Sequence, residues 1–188
     1  MVPQSVKIVV AGGFGTGKTT LVGSVSEIPP LTTEEVLTEA SVGVDDLAGV
    51  EGKTSTTVAL DFGRITISPR IVLYLFGTPG QDRFWFMWDE LASGAIGAIV
   101  LVDTRRLQTS FPAIDFFERR HIPFVVAINA FHGALEYEVE EVRQALKLSE
   151  KVPIVVCDAR QRESGKLALI QLVHHAMSRL PAKAAPIG

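Results

Sequence analysis

The sequence predicts an α/β fold in which a six-stranded, mostly parallel sheet is covered by helices on both faces. Apolar runs of strand length alternate with segments of helical period along most of the chain. Hydrophobic residues make up 47% of the 188 residues, and the mean hydropathy is +0.28. Such values are typical of parallel strands that are buried on both faces, because helical crossovers cover the two sides of the sheet.

Each element follows from a local pattern. The strands are expected at residues 6–11, 56–63, 71–76, 98–103, 122–129 and 152–158. The first helix begins after the first strand and ends before two prolines, and the later helices are expected at 83–92, 111–120, 139–148 and in the segment before Pro181. Residues 27–53, rich in Thr, Glu and Gly, predict a mobile connection in which TTEEVLTEA can form a short helix.

The chain is expected to be a single domain. No internal repeat and no linker appears, so we expect one domain over residues 1–181 and a disordered tail over residues 182–188.

The net charge of −3, without a cluster of Lys and Arg, argues against a nucleic-acid groove. The single cysteine, Cys157, lies in an apolar run, which fits the reducing cytoplasm. The longest apolar run, 94–102, is about half of a bilayer span, so no transmembrane segment is expected.

A glycine-rich segment, GGFGTGKTT at residues 12–20, lies between the first strand and the first helix. It matches G-x-x-x-x-G-K-[ST], whose backbone N–H groups surround phosphate oxygens at a helix N-terminus. We expect the Lys18 ammonium to contact the β- and γ-phosphates and the Thr19 hydroxyl to bind Mg²⁺. The alternative is a glycine-rich turn that binds nothing. The nucleotide-binding residues expected in this loop are Gly12, Gly13, Phe14, Gly15, Thr16, Gly17, Lys18, Thr19 and Thr20.

Three more short segments each follow a predicted buried strand and resemble known motifs. FGTPGQ (76–81), Asn129 and CDAR (157–160) resemble the D-x-x-G-Q, N-K-x-D and S-A-K motifs of Ras-like GTPases. The chain therefore resembles a bacterial small GTPase of the Ras superfamily, and it is most similar to the gliding-motility (MglA-like) and actinobacterial conservon groups. The resemblance implies a Ras-like P-loop G domain that binds GTP or GDP with Mg²⁺, hydrolyses GTP slowly and signals through its switch regions.

The resemblance also implies roles for single residues. Thr57, or its neighbour Thr56, corresponds to the first-switch threonine that closes over Mg²⁺ and the γ-phosphate. Gly80 corresponds to the second-switch glycine, and Gln81 to the glutamine that orients the attacking water. The expected catalytic residues are thus Lys18, Thr57 and Gln81, and the expected metal ligands are Thr19 and Thr57. The residues expected near the base are Asn129, His132, Asp158, Ala159 and Arg160.

The chain departs from this pattern at the metal site. Gly77 stands where most Ras-like proteins have the aspartate that holds a Mg²⁺-bound water. Asp103 and Asp61 are candidates for its replacement. For both residues we favour a plain structural role, Asp103 as the start of a loop and Asp61 as an exposed strand residue.

Two further departures affect hydrolysis and base recognition. Phe14 lies where a ring crowds the space beside the γ-phosphate, which predicts slow intrinsic hydrolysis. Ala130 and His132 replace the Lys and Asp of N-K-x-D, and a neutral histidine has at most one acceptor nitrogen. Asp158 is equally a substitute acceptor and a turn residue, so ATP is a rival to GTP. The alternative function is a non-hydrolysing or ATP-binding P-loop interaction module.

The aromatic run FWFMW (84–88) follows the second-switch motif. Five consecutive helical residues surround the helix axis, so they cannot all face the core. One interpretation buries Phe84, Met87 and Trp88; the other, which we favour, makes the exposed members a docking patch for protein regulators. The resemblance implies a Roadblock-type regulator at switch regions that include Phe84, Trp85 and Phe86, with peripheral membrane association through partners.

Overall fold

The architecture of the chain was obtained as a computed structural model, which describes residues 3–29, 31–38, 55–80, 86–130 and 137–179. The strands are β1 (Gln4–Ala11), β2 (Leu31–Thr38), β3 (Ser55–Ser68), β4 (Ile71–Gly77), β5 (Ala95–Val102), β6 (Phe124–Asn129) and β7 (Ile154–Cys157). The helices are α1 (Lys18–Val25), α2 (Trp88–Ala92), α3 (Phe111–Arg119), α4 (Val139–Ala145) and α5 (Arg162–Ser178). A 3-10 helix spans Thr104–Ser110.

The strands form one sheet in the order β2-β3-β4-β1-β5-β6-β7. The five strands from β4 to β7 in this order are parallel, whereas β2 and β3 are antiparallel to their neighbours. The predicted α/β class and mostly parallel sheet are confirmed, and all six predicted strands are present. The carboxyl ends of the parallel strands meet at one edge, where ligands of such sheets bind.

The expectation for residues 27–53 was wrong where the structure describes them. Leu31–Thr38 forms an edge strand instead of a short helix or a connection. It pairs with β3 in continuous antiparallel register from Leu31↔Phe62 to Thr38↔Ser55. A long-range ladder of this kind overrides the weak local preference of a segment that contains both β-branched residues and glutamates.

The core has two layers, one on each face of the sheet. On β1, Val9 and Ala11 pack with α2, α3 and α4, whereas Ile8 and Val10 pack with α1 and α5. This alternation follows from the strand period of two. In the described part of the chain, no helix is long and apolar enough to cross a bilayer.

The aromatic run after the second-switch motif is only partly described. The Trp88 side chain is buried and its ring packs edge-on against Phe116, with ring centroids 5.2 Å apart, as the core interpretation expects. The Phe86 side chain is 64% exposed, in agreement with a partly solvent-exposed run. Phe84 and Trp85 lie outside the described residues, as does the tail predicted to be disordered.

Candidate functional site

The glycine-rich loop joins the carboxyl end of β1 to the N-terminus of α1. Gly17 caps the helix in the left-handed region, with φ +101°, so that the chain turns directly into the first helical N–H groups. The Thr16 side chain is buried and its hydroxyl donates to the Gly13 carbonyl at 3.0 Å. Gly15 and Thr20 lie at the surface, and the Phe14 side chain is 66% exposed. The loop therefore leads directly into a helix N-terminus, the position at which backbone N–H groups can bind an anion.

Lys18 is folded against the inner side of this loop. Its Nζ donates to the Gly12 carbonyl at 3.0 Å and to the Gly13 carbonyl at 2.7 Å. The side chain is only 7% exposed, and burial lowers the pKa of the ammonium to about 8, with the nearby carboxylate of Asp61 acting in the opposite direction. An anion at this position would favour the charged form of Lys18 and raise its pKa.

Thr19, the next residue, is tied to strand β3. Its hydroxyl donates to Oδ2 of Asp61 at 2.6 Å, and Asp61 is 7% exposed. The expectation that Asp61 is an exposed strand residue was therefore wrong, because it pairs with Gly77 at the edge where α1 begins. A hydroxyl and a carboxylate are oxygen ligands of the type that Mg²⁺ prefers.

The TPG segment approaches the same loop from strand β4. The Thr78 N–H donates to the Val10 carbonyl at 2.9 Å, which ties the segment to β1. A methyl group at Gly80 would lie 2.7 Å from Lys18 Nζ and 2.9 Å from the Phe14 Cα. Gly80 therefore lies beside the glycine-rich loop with no room for a side chain, at the position where a second-switch glycine is expected.

Asn129 links the glycine-rich loop to the loop that follows β7. Its Nδ2 donates to the Thr16 carbonyl at 2.9 Å, and its Oδ1 accepts from the Ala159 N–H at 3.1 Å. Both side-chain groups are buried. The expected base-side residues Asn129 and Ala159 are therefore joined to each other and to the phosphate loop.

Asp158 and Arg160 form a pair in that last loop. Oδ1 of Asp158 accepts from the Arg160 N–H and Nε, and Oδ2 accepts from Nη2 at 2.8 Å. The Arg160 side chain holds the pKa of the Asp158 carboxyl below its usual range, chiefly through this hydrogen bonding. Asp158 thus has the geometry of the turn residue that was one of its two interpretations, and a base would have to share it with Arg160.

Asp103 has the loop role that the sequence favoured. Its carboxylate is fully buried, caps the 3-10 helix and pairs with both Arg105 and Arg106. Hydrogen bonding from Arg105 is the main cause of the lowered pKa of the Asp103 carboxyl. The reasoning from sequence overlooked Arg106, whose Nη2 donates to the Phe14 carbonyl at 3.3 Å. The basic pair shortly after β5, a strand that adjoins β1, is the signal that could have identified it.

Thr57 lies in β3, and its backbone pairs with Val36 of β2. It is four residues from Asp61, which corresponds to about 13 Å along an extended strand. Gln81 and His132 lie outside the described residues. Among the residues that the structure describes, no group of three or more His, Cys, Asp or Glu side chains could hold a metal ion.

Comparison with known proteins identifies one matching family and several individual relatives. Residues 10–179 match the model of a family described as conserved hypothetical ATP-binding proteins. An uncharacterized protein of Methanocaldococcus jannaschii, MJ1339, is 32% identical over 131 residues, which are 69% of this chain and 72% of that protein. The human Ras-related protein Rab-40B is 34% identical over 146 residues, which are 71% of this chain. The match spans about half, 49%, of the length of Rab-40B.

A solved structure agrees with this fold. The G domain of the FeoB iron transporter of T. maritima superposes with a TM-score of 0.57 and 18% sequence identity. The match covers 93% of this chain and 98% of that domain. At this identity the likeness concerns the fold, which is that of a Ras-like P-loop G domain.

Proposed function

The chain belongs to the family of conserved hypothetical ATP-binding proteins and has a Ras-like G-domain fold; from this we propose that it is a Mg²⁺-dependent nucleotide switch that hydrolyses GTP slowly. In this proposal Lys18 and the loop N–H groups hold the phosphates, and Thr19 ligates the metal. The metal would neutralise charge on the β- and γ-phosphates. Loss of the γ-phosphate then releases the switch segments.

The observation that carries the proposal is the pair of hydrogen bonds made by Asn129. They place the base-side loop after β7 against Thr16 of the phosphate loop. A phosphate loop alone would serve any P-loop protein, whereas its direct connection to a base-side asparagine and Ala159 supports a G-domain type of site. Gly80, in contact with Lys18, supplies the segment that responds to the terminal phosphate.

A second candidate function is an ATP-binding interaction module. It is supported by the description of the family and by the Asp158–Arg160 pair, because a carboxylate already paired with a guanidinium is a poorer acceptor for guanine. Guanine nucleotides remain the first choice, because Asn129 and Ala159, which correspond to the base-side positions of the Ras-like motifs, lie side by side next to the phosphate loop.

A binding titration with GDP, GTP, ADP and ATP, each with and without Mg²⁺, tests the proposal and separates the two candidates. We expect GTP and GDP to bind more tightly than ATP and ADP, and Mg²⁺ to strengthen the binding of the triphosphate. Equal or tighter binding of the adenine nucleotides would favour the ATP-binding module. Absence of binding to all four would contradict both.

Hydrolysis is expected to depend on Gln81. Replacing it by leucine removes the side chain that orients the attacking water, so phosphate release should slow by about tenfold to a hundredfold, the range typical of lost positioning. Single-turnover assays of wild type and Gln81→Leu with GTP measure the difference, and nucleotide affinity, measured in parallel, should not change. Equal rates in the two proteins, or no turnover in either, would support the interaction module.

Nucleotide affinity is expected to fall at alkaline pH. The pKa of Lys18 is about 8 in the free protein, and a bound polyphosphate raises it, so the complex retains a proton that the free protein loses. At pH 9 only about a tenth of free Lys18 is protonated, which predicts about tenfold weaker binding than at pH 7. Calorimetry at pH 7 and pH 9 measures this change.

An arginine at the same position is the matched control. Arginine stays charged throughout this range, so the residual affinity of Lys18→Arg should be nearly independent of pH. Equal wild-type affinity at pH 7 and pH 9 would contradict the assigned role of the Lys18 ammonium.

The proposal includes movement of the first switch. Thr57 closes over the metal in the triphosphate state, but its backbone in β3 is about 13 Å along the strand from Asp61. Closure therefore requires the β2–β3 ladder to open around Thr57 and Val36.

The exposed Phe86 side chain supports a protein-binding surface beside the second switch. A Roadblock-type regulator, a relationship to the gliding-motility group and a cytoplasmic location belong to the same proposal.

A further inference from the structure

The end of strand β4 lacks the carboxylate expected of a Ras-like metal site, and a different strand supplies one. Gly77 is the last residue of β4, and its register partner on the antiparallel strand β3 is Asp61. The two residues lie at the same edge of the sheet as the N-terminus of α1. A carboxylate on β3 can therefore reach the region that a residue-77 side chain would occupy.

The space above Gly77 is filled by that carboxylate. A Cβ built on Gly77 would lie 2.9 Å from the Cβ of Asp61 and 3.0 Å from its Oδ2. Real Cβ atoms do not approach other atoms so closely, so a side chain at position 77 and the present Asp61 side chain exclude each other. The inward position of the Asp61 side chain therefore depends on the absence of a side chain at Gly77.

Asp61 also makes the contact that a metal-site carboxylate needs. Its Oδ2 accepts a 2.6 Å hydrogen bond from the hydroxyl of Thr19, the residue expected to ligate Mg²⁺. The carboxylate is buried, and it lies close enough to Lys18 to act on the charge of that ammonium. An ionised carboxylate taken out of water is costly unless partners compensate it, and the hydroxyl, the ammonium and a bound divalent cation would do so.

The other candidate acid is already engaged. The Asp103 carboxylate receives hydrogen bonds from Nε and Nη2 of Arg105 and from Arg106. It also accepts from the Arg105 backbone N–H at 3.0 Å. A carboxylate neutralised by two guanidinium groups has little remaining attraction for a cation, so Asp103 does not compete with Asp61 for this role.

We infer that Asp61 replaces the missing β4 carboxylate and stabilises the nucleotide-bound Mg²⁺ at Thr19. This inference rests on the proposed function, because the metal arrives with the nucleotide. It assigns to β3, the antiparallel strand next to the edge strand β2, a role that Ras-like proteins give to a carboxylate at the end of the strand corresponding to β4. It also couples the metal to β3, the strand that contains Thr57.

The test is the gain in nucleotide affinity that Mg²⁺ produces, measured by titration with a fluorescent GDP or GTP in Mg²⁺ and in EDTA. In Asp61→Asn, which keeps the shape and an acceptor oxygen, the affinity in EDTA should be retained. The Mg²⁺-dependent gain should fall about 10–100-fold, the usual effect of removing a group that supports a metal ligand. An undiminished gain in Asp61→Asn would overturn the inference while leaving the proposed function intact.

Two further variants sharpen the result. The double variant Asp61→Gly with Gly77→Asp returns the carboxylate to β4 in the space that Asp61 has left, and it should recover most of the Mg²⁺-dependent gain. Asp103→Asn, the matched control, should keep the full gain even if it melts at a lower temperature. No recovery in the double variant, or an equal loss in Asp103→Asn, would overturn the assignment to Asp61. Failure of the wild type to bind nucleotide in either buffer would instead contradict the proposed function.

Discussion

Replacing Lys18 by alanine is expected to weaken the binding of nucleoside triphosphates by about a hundredfold or more. The Lys18 ammonium donates to the Gly12 and Gly13 carbonyls, which holds its charge at the glycine-rich loop where the phosphates are expected. Removing one partner of a buried charge pair costs about 3–5 kcal/mol, and each 1.4 kcal/mol is a tenfold change in affinity. Titration with a fluorescent nucleotide measures the loss.

Stability measurements separate this effect from unfolding. Burial lowers the pKa of Lys18, so the unfavourable burial of its charge offsets the hydrogen bonds to the Gly12 and Gly13 carbonyls, and alanine should leave the melting temperature within a few degrees of wild type. Lys166→Ala, which removes a lysine of α5 paired with Glu163, is the charge-matched control and should bind nucleotide normally. Unchanged affinity in Lys18→Ala would refute the phosphate-binding role of the loop.

Replacing Asn129 by alanine is expected to produce the largest loss of stability among the site variants. The substitution leaves the Thr16 carbonyl and the Ala159 N–H without their buried partner. Each such group costs about 1–3 kcal/mol, so the free energy of unfolding should fall by about 2–6 kcal/mol. Because the same bonds join the phosphate loop to the base-side loop, nucleotide affinity should fall as well. Chemical denaturation and nucleotide titration measure the two effects.

Ser164→Ala, in the first turn of α5 beside the base-side loop, provides a graded comparison. Its hydroxyl accepts a hydrogen bond from the Asp158 N–H at 2.9 Å. We expect a smaller loss of stability, about 1 kcal/mol, and little change in nucleotide affinity. If the two variants were equally stable, Asn129 would not be the link between the loops.

The local motifs predicted the parallel part of the sheet and the phosphate loop well. Apolar runs such as 98–102 and 124–128 are continuous because both faces of these strands are buried, and that property is visible without any contact partner. The loop from Gly12 to Thr19 was recognisable because a helix N-terminus that faces phosphate needs glycine, lysine and a hydroxyl at set spacings.

The antiparallel edge could not be predicted in the same way. Leu31–Thr38 became β2 only through its pairing with β3, and a ladder between distant segments leaves little trace in local propensity. For the same reason Asp61 was misjudged as an exposed strand residue. Its burial depends on the register that brings it opposite Gly77, and its position depends on the missing side chain at that glycine.

By itself the sequence determined the fold class, the order of strands and helices along the chain and the place of the phosphate loop. These depend on periodicity and on motifs whose residues are neighbours in the chain. Only the tertiary structure decided which acid stands beside Thr19, how Asn129 joins two loops, and that Asp158 and Asp103 are occupied by arginines. The reason is physical: such contacts form between strands and loops far apart in sequence, and register and burial select among the carboxylates that composition alone makes equivalent.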